Sequence, residues 1–168
     1  MIGQPMIGQT LIRQARAADL EAVVEVFLAC WTISYAPLLP AAAHAVMDRE
    51  TATALWRAAL ADPTAFVAEH GGGAIGVARC TLVGRGTGRV DSLYVHPRTQ
   101  GSGLGGRLLA ACTDHLLAAG ASRATLWVFA PNEPARAFYA RHGWQPTGEQ
   151  RVEPEYGVPE VELARVLT

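Results

Sequence analysis

Residues 100–107 read QGSGLGGR, a glycine-rich run between an apolar strand pattern and an apolar helix pattern. Gly101, Gly103 and Gly106 match G-x-G-x-x-G, the dinucleotide-binding pattern, and the first and last of them also match the glycines of a P-loop. The run also satisfies Q-x-x-G-x-G. In all three patterns, closely spaced glycines let backbone N–H groups converge at a helix N-terminus, which attracts an anion. The surroundings of the run decide among them.

The surroundings disfavour both nucleotide patterns. A dinucleotide fold needs the glycines after the first strand and an acid about 20 residues further on for the ribose. Here the run follows the fourth predicted strand, and the first acid beyond that distance is Glu133. A P-loop needs Lys and Ser or Thr after its last glycine, where this chain has Arg107 and Leu108. Two interpretations stay open: a loop that holds a pyrophosphate through its backbone, or a turn that packs a helix tightly on a sheet.

Composition predicts one ordered, globular domain. The chain has 168 residues, is half apolar and carries a net charge of −1, and all its basic residues are arginine. The near-neutral charge argues against nucleic acid or an anionic membrane as the main partner. No signal peptide or membrane span is apparent, so the cytoplasm is the expected location, and the Ala- and Arg-rich usage suggests a GC-rich bacterial genome. We expect a flexible tail over residues 1–9 and a single domain over residues 10–168.

The cysteines predict neither a disulfide framework nor a metal site. Cys30, Cys80 and Cys112 lie far apart, are odd in number, and form no C-x-x-C or Cys/His cluster. Each lies in an apolar stretch, as expected of a buried core thiol.

Hydrophobic patterning predicts a mixed α/β sheet with helices on its faces, in the order β-α-α-β-β-β-α-β-α-β-β. The predicted strands span residues 10–15, 65–69, 74–83, 89–96, 124–130, 145–152 and 158–167. The predicted helices begin at Asp19, after Pro40, at Leu104 and after Asn132. A break at residues 35–40 separates the first two helices, and the second continues to about residue 61.

Two segments resemble the GNAT superfamily of N-acetyltransferases. Residues 93–105, LYVHPRTQGSGLG, are similar to its acetyl-CoA-binding motif, a strand and loop followed by Q/R-x-x-G-x-G/A at a helix start. Residues 126–144 contain LWV, NEPARAFY and GW, and resemble the later segment N-x-x-A-x-x-F-Y-x-x-x-G-F/W. The motifs are correctly ordered and spaced, and with the element order the resemblance covers nearly the whole chain from Thr10.

The resemblance implies a GNAT-like fold whose sheet splays between the fourth and fifth strands and holds acetyl-CoA there. The backbone of the glycine run would hold the pyrophosphate, and residues 93–95 would pair with the pantetheine and polarise the thioester carbonyl. An amine would attack directly in a ternary complex, without a Ser or Cys nucleophile. The cofactor-binding residues so implied are Leu93, Tyr94, Val95, Gln100, Gly101, Ser102, Gly103, Leu104, Gly105, Gly106, Asn132, Ala135 and Tyr139.

The resemblance also assigns Tyr139 as the general acid that protonates the departing thiolate. A phenol of ordinary pKa, about 10, stays protonated at neutral pH and suits that role; the alternative is that Phe138 and Tyr139 are both core residues. Asn132 is expected to cap its helix and to contact the cofactor. For the general base, alternation places Asp91 on the same face as Leu93 and Val95, although a structural role is equally open. His96 is expected to be a loop residue, and an amine that arrives deprotonated needs no strong base.

The resemblance places the acceptor pocket between residues 31–40 and 153–157. Trp31, Tyr35, Glu155 and Tyr156 are its candidate residues, and the acids of the second segment could attract a cationic amine. The alternative is that the aromatic residues belong to the core and the acids are solvated. A small metabolite amine, an aminoglycoside-like compound and a peptide or protein N-terminus all remain as acceptors, and a homodimer remains open. The rival functions are a non-catalytic acyl-CoA-binding or sensing domain and, third, a nucleotide-binding protein.

Overall fold

The computed structural model describes residues 9–62 and 64–168, so the tail expected over residues 1–9 lies, except for Gln9, outside the described residues. The described chain forms seven strands and five α-helices. The strands are β1 (Leu11–Gln14), β2 (Ala65–His70), β3 (Gly73–Gly84), β4 (Thr87–Val95), β5 (Arg123–Phe129), β6 (Gln145–Val152) and β7 (Pro159–Val166). The helices are α1 (Leu20–Cys30), α2 (Ala41–Ala45), α3 (Arg49–Leu60), α4 (Leu104–Ala118) and α5 (Glu133–Arg141).

The strands form one mixed sheet in the order β1-β2-β3-β4-β5-β7-β6. Every neighbouring pair is antiparallel except β4 and β5, which run parallel. These two pair only where residues 87–89 meet residues 123–125, and beyond that point both strands continue without pairing to each other. The predicted α/β sheet, splayed between its fourth and fifth strands, is thereby confirmed.

Alternation along the central strands buries two apolar clusters, one on each face of the sheet. Val67 and Val77 face α1 and α3, whereas their neighbours Ala68 and Ala78 face α4. The first cluster is centred on Val23, Val24, Phe27, Trp56 and Leu60. The second is centred on Leu108, Leu109, Cys112, Leu116, Leu126, Trp144 and Leu163. Removing this apolar surface from water, at about 25 cal/mol per Å², is the main driving force that holds the helices on the sheet.

The helical region after α1 differs from the prediction. The single helix expected from Pro40 to about residue 61 is two helices, because Asp48 interrupts it and accepts a hydrogen bond from the Thr51 N–H at 2.7 Å, as the N-cap of α3. The alanines on both sides suit any helix, so hydrophobic periodicity could not show the break. In addition, α1 continues as a π-helix over Trp31–Tyr35.

The β3–β4 hairpin is tighter than the predicted turn over residues 84–88. Gly84 pairs with Thr87, which leaves a two-residue loop whose Gly86 has a φ of 71°. Gly88 therefore belongs to β4, where a Cβ atom would lie 2.5 Å from Leu116 Cδ2. This glycine lets α4 approach the sheet closely at the point where β4 and β5 begin to separate.

Within the described residues, no helix is both long enough and apolar enough to cross a membrane.

Candidate active site

The divergence of β4 and β5 opens a cleft of about 870 Å³, walled by both strands, the start of α4, one side of α5 and the end of α1. All four tyrosines of the chain line it. Ser102 is the one predicted cofactor-binding residue that does not line the wall. The others do: Leu93, Tyr94, Val95, Gln100, Gly101, Gly103, Leu104, Gly105, Gly106, Asn132, Ala135 and Tyr139.

The glycine run presents unpaired backbone donors to one end of the cleft. Gly101 and Gly103 have φ values of 78° and 85°, in the left-handed region that favours glycine, and an added Cβ on either would meet only open space. Gly103 is the N-cap of α4 and supplies no side-chain cap. The Arg107 N–H donates to the Gly103 carbonyl at 3.2 Å, so the helical N–H groups before it have no partner within the helix. An anion fits this arrangement.

The last two glycines of the run serve packing between helices. A Cβ on Gly105 would lie 3.2 Å from the Phe138 ring, and one on Gly106 would lie 2.7 Å from His142 Nε2. Both contacts are with α5 or the residue that ends it. The first two glycines therefore shape the loop, and the last two let α4 approach α5, so their packing is mainly between helices and not of a helix on the sheet.

Side-chain hydrogen bonds fix the end of β4 and the loop that follows it. The Val95 carbonyl accepts from Gln100 Nε2 at 3.0 Å and from the Cys30 thiol at 3.3 Å. Ser102 Oγ donates to the Thr99 carbonyl, which turns its side chain toward the loop. His96 Nδ1 accepts from the Arg98 N–H at 3.2 Å, which makes His96 a turn-capping loop residue.

Tyr139 lies on α5 with its half-buried ring against Phe138, at 5.2 Å between ring centroids, and Trp144, at 6.2 Å. Among the described residues its hydroxyl has no hydrogen-bond partner. Burial raises the pKa of the Tyr139 hydroxyl above its ordinary value, and the neighbouring Tyr35 adds to the effect. The phenol is therefore protonated at neutral pH and free to donate.

Asn132 caps α5 and also lines the cleft. Its Oδ1 accepts a hydrogen bond from the Ala135 N–H at 3.3 Å. The side-chain oxygen is thus committed to the helix, and the amide nitrogen is the group left to meet a ligand.

Asp91 lines the cleft but lies on the face opposite to the one predicted. In the β3–β4 register Arg79 pairs with Ser92 and Cys80 pairs with Val90, so Asp91 is an extra residue in a β-bulge. Its carboxylate accepts from Arg89 Nε at 2.6 Å and from Thr81 Oγ1 at 2.9 Å. The bulge breaks the alternation that would have placed it with residues 93 and 95, both of which pack against the α4 cluster.

The two predicted acceptor segments meet at the other end of the cleft. Four rings on its wall form a closed circuit in which each ring contacts the next: Trp31–Tyr35 at 5.7 Å, Tyr35–Phe129 at 5.7 Å, Phe129–Tyr156 at 5.6 Å and Tyr156–Trp31 at 5.9 Å between centroids. We call this set the aromatic recess. The π-helix contributes the first two rings, and the β6–β7 connection contributes Tyr156.

The carboxylate on the wall of the aromatic recess is Glu160, which was not among the predicted site residues. Glu155 is exposed and does not line the cleft, whereas Glu160 is 8% exposed, lines it, and accepts from Arg151 Nε at 2.7 Å. Glu160 lies near the start of β7 opposite Phe129 of β5. An acid inside an alternating strand is the signal that could have drawn attention to it.

The described residues contain no group of three or more His, Cys, Asp or Glu side chains placed to hold a metal ion. Cys30, Cys80 and Cys112 are free and buried, and burial raises the pKa of the Cys30 thiol to about 12. Cys30 lines the cleft, but its thiol is protonated at neutral pH and donates to a backbone carbonyl.

A family model described as the acetyltransferase (GNAT) family matches residues 20–144, which contain the glycine run, α5 and most of the cleft wall. The chain belongs to the GNAT family of acetyltransferases. This GNAT protein is 40% identical over 73 residues to the mycothiol acetyltransferase of Beutenbergia cavernae. The match covers 44% of this chain but only 24% of that relative, so the chain spans about a quarter of its length.

Solved structures share the fold of this GNAT protein at low sequence identity. The PaiA N-acetyltransferase of Thermoplasma acidophilum, crystallised with coenzyme A, is 17% identical and has a TM-score of 0.80, with 94% of this chain and 98% of that chain covered. YncA of Salmonella typhimurium, crystallised with acetyl-CoA, is 22% identical and has a TM-score of 0.72, with 95% and 94% covered. These likenesses establish the fold.

Proposed function

We propose that this chain is an acetyl-CoA-dependent N-acetyltransferase that moves an acetyl group to a primary amine by direct attack in a ternary complex. The observation that carries the proposal is the cleft itself. An uncapped helix N-terminus with two left-handed glycines lies at one end, and an aromatic recess with a buried carboxylate lies at the other. Membership of the GNAT family and the CoA and acetyl-CoA bound to its structural neighbours agree with this.

The residues present fit acetyl-CoA. The free N–H groups between Gly101 and Gly106 suit its pyrophosphate, since a helix N-terminus without a side-chain cap favours negative charge. Beyond Arg89, β4 pairs with β3 on one edge only, so its other edge at residues 93–95 is open to the pantetheine, except at the Val95 carbonyl, which already accepts from Gln100 and Cys30. When bound, acetyl-CoA supplies a thioester whose carbonyl an amine attacks and whose thiol leaves.

The same free edge of β4 provides the electrostatic part of catalysis. A backbone N–H aimed at the thioester oxygen stabilises the negative charge that develops there, as in an oxyanion hole. Because these donors belong to a strand held on its other side by β3, they need no reorganisation during the reaction.

Tyr139 is the proposed general acid. Its hydroxyl is protonated, lines the cleft and is not engaged by any described residue, so it can pass its proton to the sulfur of the departing thiolate. Tyr35 and Tyr94 line the same cleft.

Asp91 remains the proposed general base, although Arg89 and Thr81 both engage its carboxylate. Arg89 donates to Oδ1 and Thr81 donates to Oδ2, so both oxygens of the carboxylate already accept a hydrogen bond. An amine that reaches the thioester already neutral would make this base dispensable.

An acetylation assay tests the proposal. The protein is incubated with acetyl-CoA and a panel of primary amines, and CoA release is followed with a thiol reagent while acetyl-CoA binding is measured by calorimetry. We expect amine-dependent CoA release. Binding of acetyl-CoA without CoA release for any amine would favour the acyl-CoA-sensing alternative, and binding of NAD but not of CoA would favour a nucleotide-binding protein.

A cytoplasmic location, a bacterial origin, a homodimeric state and a single domain over residues 10–168 belong to the same proposal and stay predictions.

A further inference from the structure

All five histidines of the chain lie in the described residues, and among them only His142 lines the cleft. It follows the last residue of α5, and its ring packs on Phe138 at 4.4 Å between centroids. Its Nδ1 lies 2.8 Å from the Phe138 carbonyl oxygen. A carbonyl oxygen can only accept a hydrogen bond, so Nδ1 carries the hydrogen and Nε2 is the nitrogen left for another partner.

The Nε2 atom of His142 lies beside the first turn of α4. A Cβ on Gly106 would be 2.7 Å from it, so the missing side chain of that glycine makes the room that the imidazole occupies. In an α-helix each Cα–Cβ bond tilts toward the N-terminus. The contact is therefore with the N-terminal side of the turn, next to the N–H groups before Arg107 that have no partner within the helix.

In the described chain, His142 forms no ion pair. Its neighbour on α5 is Arg141, which is exposed and also lines the cleft. On α4 the nearest charged residue along the chain is Arg107, whose guanidinium donates to the backbone just before β1 at 2.8 Å. The carboxylates on the cleft wall are Asp91 and Glu160, and each is already paired with an arginine. An anion bound at the start of α4 would be the first full negative charge that the imidazole meets.

We infer that His142 is a cofactor-binding residue whose imidazole takes up a proton when CoA binds and donates a hydrogen bond from Nε2 to the pyrophosphate. The inference rests on the proposed function for the position of CoA, and it adds a side chain to a site otherwise made of backbone donors. The proton comes from the solvent, and Nδ1 keeps its bond to the Phe138 carbonyl. Histidine is the side chain that makes this change near neutral pH, and the charged bond is about twice as strong as a neutral one.

Calorimetry counts the proton. Dephospho-CoA, which lacks the 3′-phosphate, is titrated into the protein at about pH 7 in buffers of different ionisation enthalpy. The slope of the binding enthalpy against the ionisation enthalpy gives the number of protons taken up. The 3′-phosphate is left out because a phosphate monoester itself titrates near pH 6. We expect a positive slope, and an affinity that falls as the pH rises from about 6 to about 8, because the complex holds a proton that the free protein lacks.

Variants identify the group that takes up the proton. His142→Gln can still donate a hydrogen bond but cannot be protonated, so the slope should vanish and binding at about pH 6 should weaken about tenfold. His115→Gln, on α4 but away from the cleft wall, is the matched control and should keep the slope. His96→Gln changes the other histidine near the glycine run and should keep it too. Thermal unfolding of each variant checks that it folds.

A zero slope for the unmodified protein, a slope that survives His142→Gln, or one that is lost in His96→Gln would overturn the inference. A ring that only fills the space between α4 and α5 predicts the second of these results together with a lower unfolding temperature for His142→Gln. If the folded, unmodified protein binds neither CoA nor dephospho-CoA, the proposed function is contradicted instead.

Discussion

At the scale of single residues, Tyr139 shows how position and environment together define a chemical role. Residues 132–144 predict a short helix in which a phenol follows Phe138, and the structure places that phenol on the wall of the cleft. Burial raises the pKa of this phenol, so it keeps its proton throughout the pH range in which most enzymes are assayed. The phenol is therefore suited to donating a proton and not to accepting one.

Tyr139→Phe removes this proton and keeps the ring. We expect the fold to be retained and kcat to fall roughly 10- to 1,000-fold, the usual range for a lost general acid. The measurement is steady-state turnover at saturating acetyl-CoA and amine, with a circular dichroism spectrum as the control for folding. Unchanged turnover in an assay limited by the chemical step would exclude this role.

A second prediction at this scale concerns the ion pairs that Arg13 of β1 forms with Asp19 and Glu69. Arg13 bridges Asp19, at 2.8 Å and 2.9 Å, and Glu69. The hydrogen bond from Arg13 holds the pKa of Asp19 below its ordinary value, against the opposing effect of burial. A carboxyl whose pKa is lower in the folded state stabilises the fold above its unfolded-state pKa of about 3.9, and this contribution is lost as the pH falls through the folded-state pKa.

Asp19→Asn should therefore reduce the free energy of unfolding by about 1–3 kcal/mol at pH 7. Urea denaturation at a series of pH values should show the two proteins converging below about pH 4. Asp114→Asn, at an exposed position on α4, is the matched control and should change stability by less than about 0.5 kcal/mol. A constant difference across the whole pH range would contradict the assignment.

At the scale of elements, the start of α4 combines a loop whose glycines have positive φ values with backbone N–H groups that have no partner within the helix. The glycine spacing predicts this geometry, and the positive φ values of Gly101 and Gly103 agree with it. The sequence could not separate the glycines that shape the loop from those that pack against α5, because that distinction depends on Phe138 and His142, more than 30 residues further along the chain.

Gly103→Ala tests the loop. The added methyl group meets no atom within 4 Å, so the expected loss of about 1–2 kcal/mol of stability comes from backbone strain at φ 85°. We expect calorimetry to show weaker CoA binding too, since the N–H groups no longer converge. Gly84→Ala is the control, because that glycine also has open space around it but no positive φ. If Gly103→Ala and Gly84→Ala lower the stability equally, backbone strain at Gly103 is not the cause.

At the scale of the whole molecule, the cleft depends on a short parallel contact between two halves of the sheet. Only residues 87–89 of β4 pair with β5, and α4 packs closely on β4 at this point because Gly88 offers no side chain against Leu116. The close packing of α4 on β4 therefore lies next to the point where the cleft begins.

Gly88→Ala should destabilise the fold by about 1–3 kcal/mol through overpacking against Leu116. Because the clash is with that side chain, Gly88→Ala should be less harmful in a Leu116→Ala background. A double-mutant cycle from urea denaturation measures the coupling, which we expect to exceed about 0.5 kcal/mol. Additive effects would mean that Gly88 is required for another reason.

The sequence by itself determined the mixed sheet, the element order apart from the division of the second helix, the glycine run and the positions of Asn132 and Tyr139. Hydrophobic periodicity, glycine spacing and helix capping each involve only a few neighbouring residues, so a local sequence pattern is enough to predict these features. The alternation rule failed at Asp91, since a β-bulge is recognised only from the register of the neighbouring strand.

Only the tertiary structure determined which residues form the acceptor end of the cleft. The rings of the recess come from residues 31 and 35 of a π-helix, residue 129 of β5 and residue 156 of a late turn, and Glu160 joins them from β7. No local pattern relates segments so distant in the chain. They meet because β4 and β5 separate beyond residues 87–89 and 123–125, and that separation depends on the register between two strands that are distant in the chain.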